Sequence, residues 1–317
     1  MKLLTRIFIV AFAVAATVVI TGCGSSLSKK EYQMATGSRS GVYYPIGEAL
    51  DKILKTAYAD AGIKVIETAG SIENIQLLQD GKVDLALVQN DIAYYAAQGE
   101  AMFEGKKITG LAGIATLFPE VVQIIVRKET NITNLQELAG HKIAVGSKNS
   151  GTFYNARQIL TIANVWSEID HQYIGATDAM RELQAGNIDG FIFTSGLPNP
   201  SIIELAKKVE ISLLPIDPDL VQKLVNEYSF YFPSTIAENQ YPGQTDAISA
   251  VEINAILITT TALPENDQYL ITKALFGSPN DLGKSHPRLN KMTKNSLRQQ
   301  MPVQLGKGAY KAHSEMP

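Results

Sequence analysis

The sequence predicts an α/β protein built from two similar lobes. Three observations lead there. Short apolar or β-branched runs alternate with stretches of helical periodicity, the pattern of parallel strands joined by crossover helices. A loop motif occurs twice: residues 35–44 read ATGSRSGVYY and residues 144–154 read AVGSKNSGTFY, with one inserted residue. Each copy is then followed by the same block in the same order. LQDGKVD at 78–84 is answered by LQAGNID at 183–189, and each leads into an apolar run, at 85–88 and 190–193. Repeated segments in matched order are the signature of repeated architecture.

The composition fits. A chain of 317 residues, 45% hydrophobic and 19% charged, is long enough for two domains and has an ordinary globular balance. A net charge of −3, with Lys and Arg scattered, gives no electrostatic case for nucleic acid as a partner.

The N-terminus reads as an export signal. Lys2 and Arg6 precede an apolar run at 7–20, which ends in Ile20-Thr21-Gly22-Cys23. The run falls short of the ~20 residues a membrane span needs. Residues 1–22 are therefore expected to be a signal peptide. The tetrapeptide resembles a bacterial lipobox, which implies cleavage before Cys23 and its lipidation. Cys23 is the only cysteine, so no disulfide forms within the chain, and acylation accounts for a lone thiol in an exported protein. The small, polar residues up to Lys30 complete a flexible tether at 23–30.

Residues 32–36 then form a strand that feeds the loop Gly37-Ser38-Arg39-Ser40-Gly41. A helix follows with Ile46, Leu50, Ile53, Leu54 and Ala57 on one face. Residues 64–68 form a strand. Gly70-Ser71 opens a helix, with Ser71 as its N-cap and Gly81 at its end. Residues 85–88 form a buried strand before Gln89-Asn90-Asp91 and a helix that carries Tyr94 and Tyr95. A strand at 111–117 is expected to break at Pro119, where the chain crosses into the second lobe, and 121–126 is strongly β-branched.

The second lobe repeats the plan, with a strand at 142–145, a helix from Gly151 to about Asn164, a helix at 177–185 and a strand near Phe191. Helices at 201–208 and 220–228 flank a strand at 211–214. The return crossing is expected between Phe230 and Tyr241, followed by a strand at 251–259 and a helix at 264–276. The tail from Asp281 is polar. Lobe 1 thus comprises 31–119 and 235–317, and lobe 2 comprises 120–234. A cleft at the hinge of two lobes is the preferred place for a small-molecule site.

No catalytic set assembles, so the expectation is a protein that is not an enzyme and needs no cofactor. His141, His171, His286 and His313 have no metal-ligand spacing. Neither a phosphate-binding G-x-x-x-x-G-K-[ST] nor a G-x-S-x-G elbow occurs. Asp84 and Asp189 are matched in the repeat, and their place before a strand argues for a structural turn role over paired acid–base work.

Binding chemistry is more legible. In open α/β sheets ligands sit beyond the carboxyl ends of strands. Those ends are residues 37–42, 89–91, 147–152 and 194–196, rich in hydroxyls, amides and glycine N–H groups. Together with two helix N-termini, one from each lobe, they suit a carboxylate held by neutral donors. Arg39 and Lys148 occupy matched places in the two loops, either as ion-pair partners for a ligand or as solvated loop charges. Tyr43 and Tyr44 either wall the ligand or pack in the core. Asp91 either meets a ligand amine or caps its own helix.

TGSRSGVYYPIG, SIENIQLLQDGKVDLALVQND, ELAGHKIAVGSKNSGT and the closing LGKGAYKAHSE together resemble the TAXI family, the solute-binding lipoproteins or periplasmic proteins of TRAP transporters. The resemblance spans residues 31–315 in order. It implies a type II periplasmic-binding-protein fold with a two-crossing hinge. It also implies capture of a small carboxylate, a glutamate-like amino acid or a dicarboxylate, and delivery to TRAP permease subunits in the membrane. The family's ligand contacts fall on Ser40, Gly41, Val42 and Tyr43, on Gln89, Asn90 and Asp91, on Ser150, Gly151 and Thr152, and on Thr194, Ser195 and Gly196. The chain departs from the family in its first loop, where Ser38, Arg39, Ser40 and Val42 replace a Thr-rich run. It departs again at Asn149 and at Gly306-Lys307-Gly308-Ala309. A sensory lipoprotein without transport, or an enzyme on the same fold, are the alternative functions.

Overall fold

The structure is a computed structural model that describes residues 26–277, 282–284, 286–290, 292–293 and 295–316. The expected signal peptide and Cys23 lie outside the described residues. Strand β1 (Glu31–Ala35) buries Tyr32 and Met34 and leads through the first glycine loop to α1 (Tyr43–Ala57). The buried face of α1 carries Ile46, Leu50, Ile53 and Leu54, as the spacing predicts. β2 (Gly62–Ile66), α2 (Ser71–Gln79), β3 (Leu85–Gln89) and α3 (Asn90–Gln98) follow. β1 lies between β2 and β3, parallel to both.

A long strand, β4 (Leu111–Arg127), comes next. The plan then repeats as β5 (Lys142–Ala144), α4 (Gly151–Ile162), β6 (Asp170–Gln172), α5 (Ala176–Ala185) and β7 (Gly190–Ser195). β5 lies between β6 and β7, parallel to both, so its neighbours match those of β1. The matched aspartates do the same work in each copy. Asp84 Oδ2 accepts from Gln33 N at 2.9 Å, and Asp189 Oδ2 accepts from Lys142 N at 2.9 Å. Both tie the last strand of a unit to the start of its first, which is the turn role expected of them.

α6 (Pro200–Ala206), β8 (Ile211–Leu213), α7 (Pro218–Glu227) and β9 (Phe232–Ile236) complete the second lobe up to a second long strand, β10 (Ile248–Thr260). α8 (Glu265–Phe276) and the C-terminal α9 (Lys307–Glu315) pack on the first lobe. The strands form one mixed sheet in the order β2-β1-β3-β10-β4-β7-β5-β6, with β9 beside β10 and β8 beside β4. β4 and β10 are antiparallel neighbours from Leu111 to Val121.

Both crossings run inside these two strands. On β4, Ile114, Leu117 and Phe118 pack with Tyr32 and Leu50, whereas Val122 and Ile124 pack with Ile143 and Ile159. On β10, Val251 and Ile253 join the second lobe, while Ala255 and Leu257 join the first.

Four expectations are corrected here. Pro119 does not break the strand, because its fixed φ suits extended chain. It sits exposed where β4 has β10 on one side and β7 has not yet begun to pair, so its missing N–H removes no bond on that second side. The return passage lies in β10 near Asn254, beyond the 230–241 stretch. Ile236, Tyr241 and Ala250 share a cluster with Val121 and Phe193. Residues 26–30 are docked, not a free tether. Ser28 N and Oγ donate to the Asp267 carboxylate, and Lys29 Nζ meets Asp84 Oδ1 at 2.5 Å. The polar tail buries Leu289, Met292, Leu297, Ala309 and Ala312 in the first lobe's core.

Candidate functional site

The glycine loops end in helices, and four of those helices start at one place. The first turns of α1 and α2 from the first lobe meet those of α4 and α5 from the second around a cavity of about 410 Å³. Val42, Gly70 and Gly175 precede α1, α2 and α5, and none of the three supplies a side-chain cap. α4 is capped by Ser150, whose Oγ accepts from Phe153 N at 3.1 Å. Apart from Glu73 N, which donates to Asn149 O, the uncapped first-turn N–H groups need an acceptor, and the helix dipole favours a negative one.

No lysine or arginine is among the described residues that line the cavity. Its acids are Glu67, Glu120 and Asp178. Two are neutralised at its mouth: Glu67 pairs with Arg39 at 3.2 Å, and Asp178 with Arg181 at 3.0 Å. Glu120 is buried on β4 next to the crossing, and its Oε2 accepts from Tyr43 Oη at 2.6 Å. Burial pushes the Glu120 carboxyl up to about 8, and the Tyr43 bond only partly opposes this. Burial also drives the Tyr43 phenol well above its usual range, so it stays a neutral donor. Ile174, Ile192 and Phe193 supply apolar wall.

Of the residues expected at the site, Gly41, Val42, Tyr43, Gln89, Ser150, Gly151, Thr152, Thr194 and Ser195 line the cavity. Ser40 does not. Its Oγ meets Thr177 Oγ1 at 2.8 Å, a contact between lobes. Asn90 and Asp91 also fall elsewhere. Asn90 Oδ1 accepts from Asp91 N and from Asn254 N on the returning strand. The Asp91 carboxylate accepts from Ile92 N and from Asn155 Nδ2 at 2.9 Å. Asn155 also bonds Tyr231 Oη and Thr194 Oγ1, while Gln158 joins Tyr231 to Tyr95. Asp91 is thus committed to a buried network between α3 and α4, and Asn90 to the returning strand β10. Burial without a cation raises Asp91 to about 7.

Gly196 lies against the Arg288 side chain. That guanidinium donates to Leu197 O at 2.6 Å and to Pro198 O, in a second groove of about 1130 Å³ shared by Pro119 and Val121. Of the two matched cations, Arg39 lies over the Tyr44 ring and Lys148 over the Tyr173 ring, so neither lines the cavity.

Three parts of the cavity were not expected from the sequence. The starts of α2 and α5 occupy the same position in the two copies, after β2 and after β6. Extending the repeat from the first helix of each copy to the second would have found Gly70-Ser71 and Gly175-Ala176. Glu120 carries no comparable signal, because a single acid beside a proline in an apolar strand looks like any edge residue. The lobes are closed on one another: besides the Ser40–Thr177 contact, Glu73 N donates to Asn149 O and Asn199 Nδ2 to Ser40 O. Among the described residues no cluster of potential metal ligands occurs, and no helix is long and apolar enough to cross a membrane.

Solved structures share the architecture. The periplasmic binding protein BugD is 13% identical, with 90% of this chain and 95% of that chain covered at a TM-score of 0.60. The alkanesulfonate-binding protein SsuA from Xanthomonas axonopodis pv. citri, bound to MOPS, is 16% identical over 92% and 86% of the two chains, at a TM-score of 0.51. A binding-protein component of an ABC phosphonate transporter from Pseudomonas aeruginosa is 13% identical over 82% and 79%, at a TM-score of 0.51. At these identities the likeness is one of fold, and it makes the two-lobed α/β body that of the periplasmic binding proteins. The sequence itself matches the NMT1-like family model along residues 34–316, nearly the whole chain past the N-terminal segment, and the protein belongs to that family.

Proposed function

We propose that the protein is an exported solute-binding lipoprotein that captures a small carboxylate between its lobes and delivers it to the membrane subunits of a TRAP-type transporter. The observation that carries this reading is the convergence of four helix N-termini, three without side-chain caps, on one cavity that both lobes build. Backbone N–H groups and dipole ends bind an anion without a cationic side chain. Because the donors come from both lobes, an anion contacts all of them only in the closed form and shifts the population towards it. The cavity volume of about 410 Å³ suits a solute of a few carbon atoms. The TAXI-like motifs favour a carboxylate and a TRAP permease, and the lipobox-like Ile20-Thr21-Gly22-Cys23 favours anchoring by acyl chains at Cys23.

The test is a thermal-shift screen of the chain starting at Gly24 against dicarboxylates, keto acids, amino acids, alkanesulfonates, phosphonates and sugars. A ligand that binds the folded state raises the melting temperature by mass action. A shift confined to carboxylates is the expected result. A shift confined to sugars would end the anion reading, and one confined to sulfonates or phosphonates would keep the anion but change its class. Incorporation of labelled palmitate in cells, and its loss in Cys23→Ala, tests the anchor.

A further inference from the structure

Glu120 is the acid in the cavity wall that no cation neutralises. It sits on β4 opposite Ile253 of β10, with 3% of its surface exposed. Tyr43 Oη occupies Oε2, and Oε1 has no hydrogen-bond partner among the described residues. The groups that face it from each neighbouring element are known. From α1 comes Tyr43, neutral. From α3 comes Asp91, another acid, engaged by Asn155. Arg288 attracts it from a distance, but its guanidinium is held by the carbonyls of Leu197 and Pro198 in the other groove. On β10, Glu252 lines that same groove and accepts from Ser234 Oγ at 2.7 Å. On β7, Thr194 and Ser195 are uncharged. Glu67 and Asp178 are paired at the mouth.

An ionised Glu120 and an anion at the helix starts would be two like charges in one small cavity, an arrangement that forces one of them to take a proton. Resting on the anion-binding reading above, we propose that Glu120 serves the bound state as a neutral carboxylic acid whose Oε1–H donates to the solute, so that capture of the anion is linked to a proton. The acid then does two things: it removes a repulsion and adds a donor to the cavity wall. Burial, which holds Glu120 up to about 8, keeps it mostly neutral at pH 7. The link becomes visible above that value, where each binding event must take up one proton.

The experiment uses the chain from Gly24 with succinate and methanesulfonate as probes, since neither titrates from about pH 7 to about pH 9.5. Affinity of the wild type is expected to hold to about pH 8 and then fall roughly tenfold per pH unit. Calorimetry at pH 9.5 in two buffers of different ionisation enthalpy should report uptake approaching one proton. Glu120→Gln should bind the probe a few-fold more weakly at pH 7, because an amide is the weaker donor, and should lose the pH dependence. Binding that tightens as pH rises, or no proton uptake, would overturn the proposal. If neither probe nor any anion of the thermal-shift screen binds the wild type, the anion reading is what fails. Infrared difference spectra of wild type minus Glu120→Gln still decide the residue's state: a carbonyl band from a neutral carboxyl at pH 7 supports the proposal, and its absence refutes it.

Discussion

Gly151 has no side chain because Gln89 occupies the space: a methyl group built there would overlap the Gln89 amide. The contact joins the end of β3 in one lobe to the start of α4 in the other, so Gly151→Ala acts on closure rather than on folding. Ligand affinity, measured by calorimetry with a hit from the screen, should fall at least tenfold while the melting temperature of the free protein stays close to the wild type. Ser150 behaves in the opposite way. Its hydroxyl proton goes to Ser147 O at 2.7 Å and its oxygen caps α4, which leaves no donor for a solute. Ser150→Ala should therefore cost about 1 kcal/mol of stability, read by denaturant titration, with a smaller effect on binding. The two buried acids give a pH signature. Asp91 moves from 3.8 to about 7 on folding and Glu120 from 4.5 to about 8. Between these limits the folded state holds protons that the unfolded chain has released, so stability falls as pH rises from about 4 and levels off past about 8. Melting curves from pH 5 to 9 should show this decline, and Glu120→Gln should make it shallower. Residues at strand ends were legible in the sequence because glycine and hydroxyl runs mark them. Glu120 was not, because its role depends on which face of β4 it occupies.

At the scale of elements, the repeat was the readable signal. It foretold the two strand–loop–helix units and the matched aspartates, because each unit must solve the same closure problem with the same residues. It could not show that β4 and β10 run on through both lobes. An internal proline reads locally as a stop, and only the partner strands reveal that Pro119 lies where one neighbour is missing. Nor could it show that α3 and α4 of different lobes share a polar network. Asn155 is its centre, bonded to Asp91, Tyr231 and Thr194. Asn155→Ala would leave up to three buried groups without that partner, each costing roughly 1–3 kcal/mol before relaxation. The melting temperature should drop by roughly 1.5 °C for every kcal/mol lost in a chain of this size. A melt indistinguishable from wild type would mean that the two helices separate freely and the network carries no load.

Over the whole molecule, the lobes are held at two places. One has the Ser40–Thr177 and Glu73–Asn149 contacts, and the other has the Arg288 guanidinium on the carbonyls of Leu197 and Pro198. Arg288→Ala removes the second hold. Small-angle scattering of the free variant should give a larger radius of gyration than the wild type, and ligand release should be faster. Equal radii would place the hold elsewhere. What joins the lobes also limits how they can part. A single loose linker would let one half drift and swivel against the other. Here the described chain passes between them twice, in two strands bonded edge to edge. Such a ribbon resists stretching and shear but bends across its own plane. The molecule is left with one soft degree of freedom, an angle, so opening should follow a single relaxation rate and every ligand should hold the two halves at some point along the same arc.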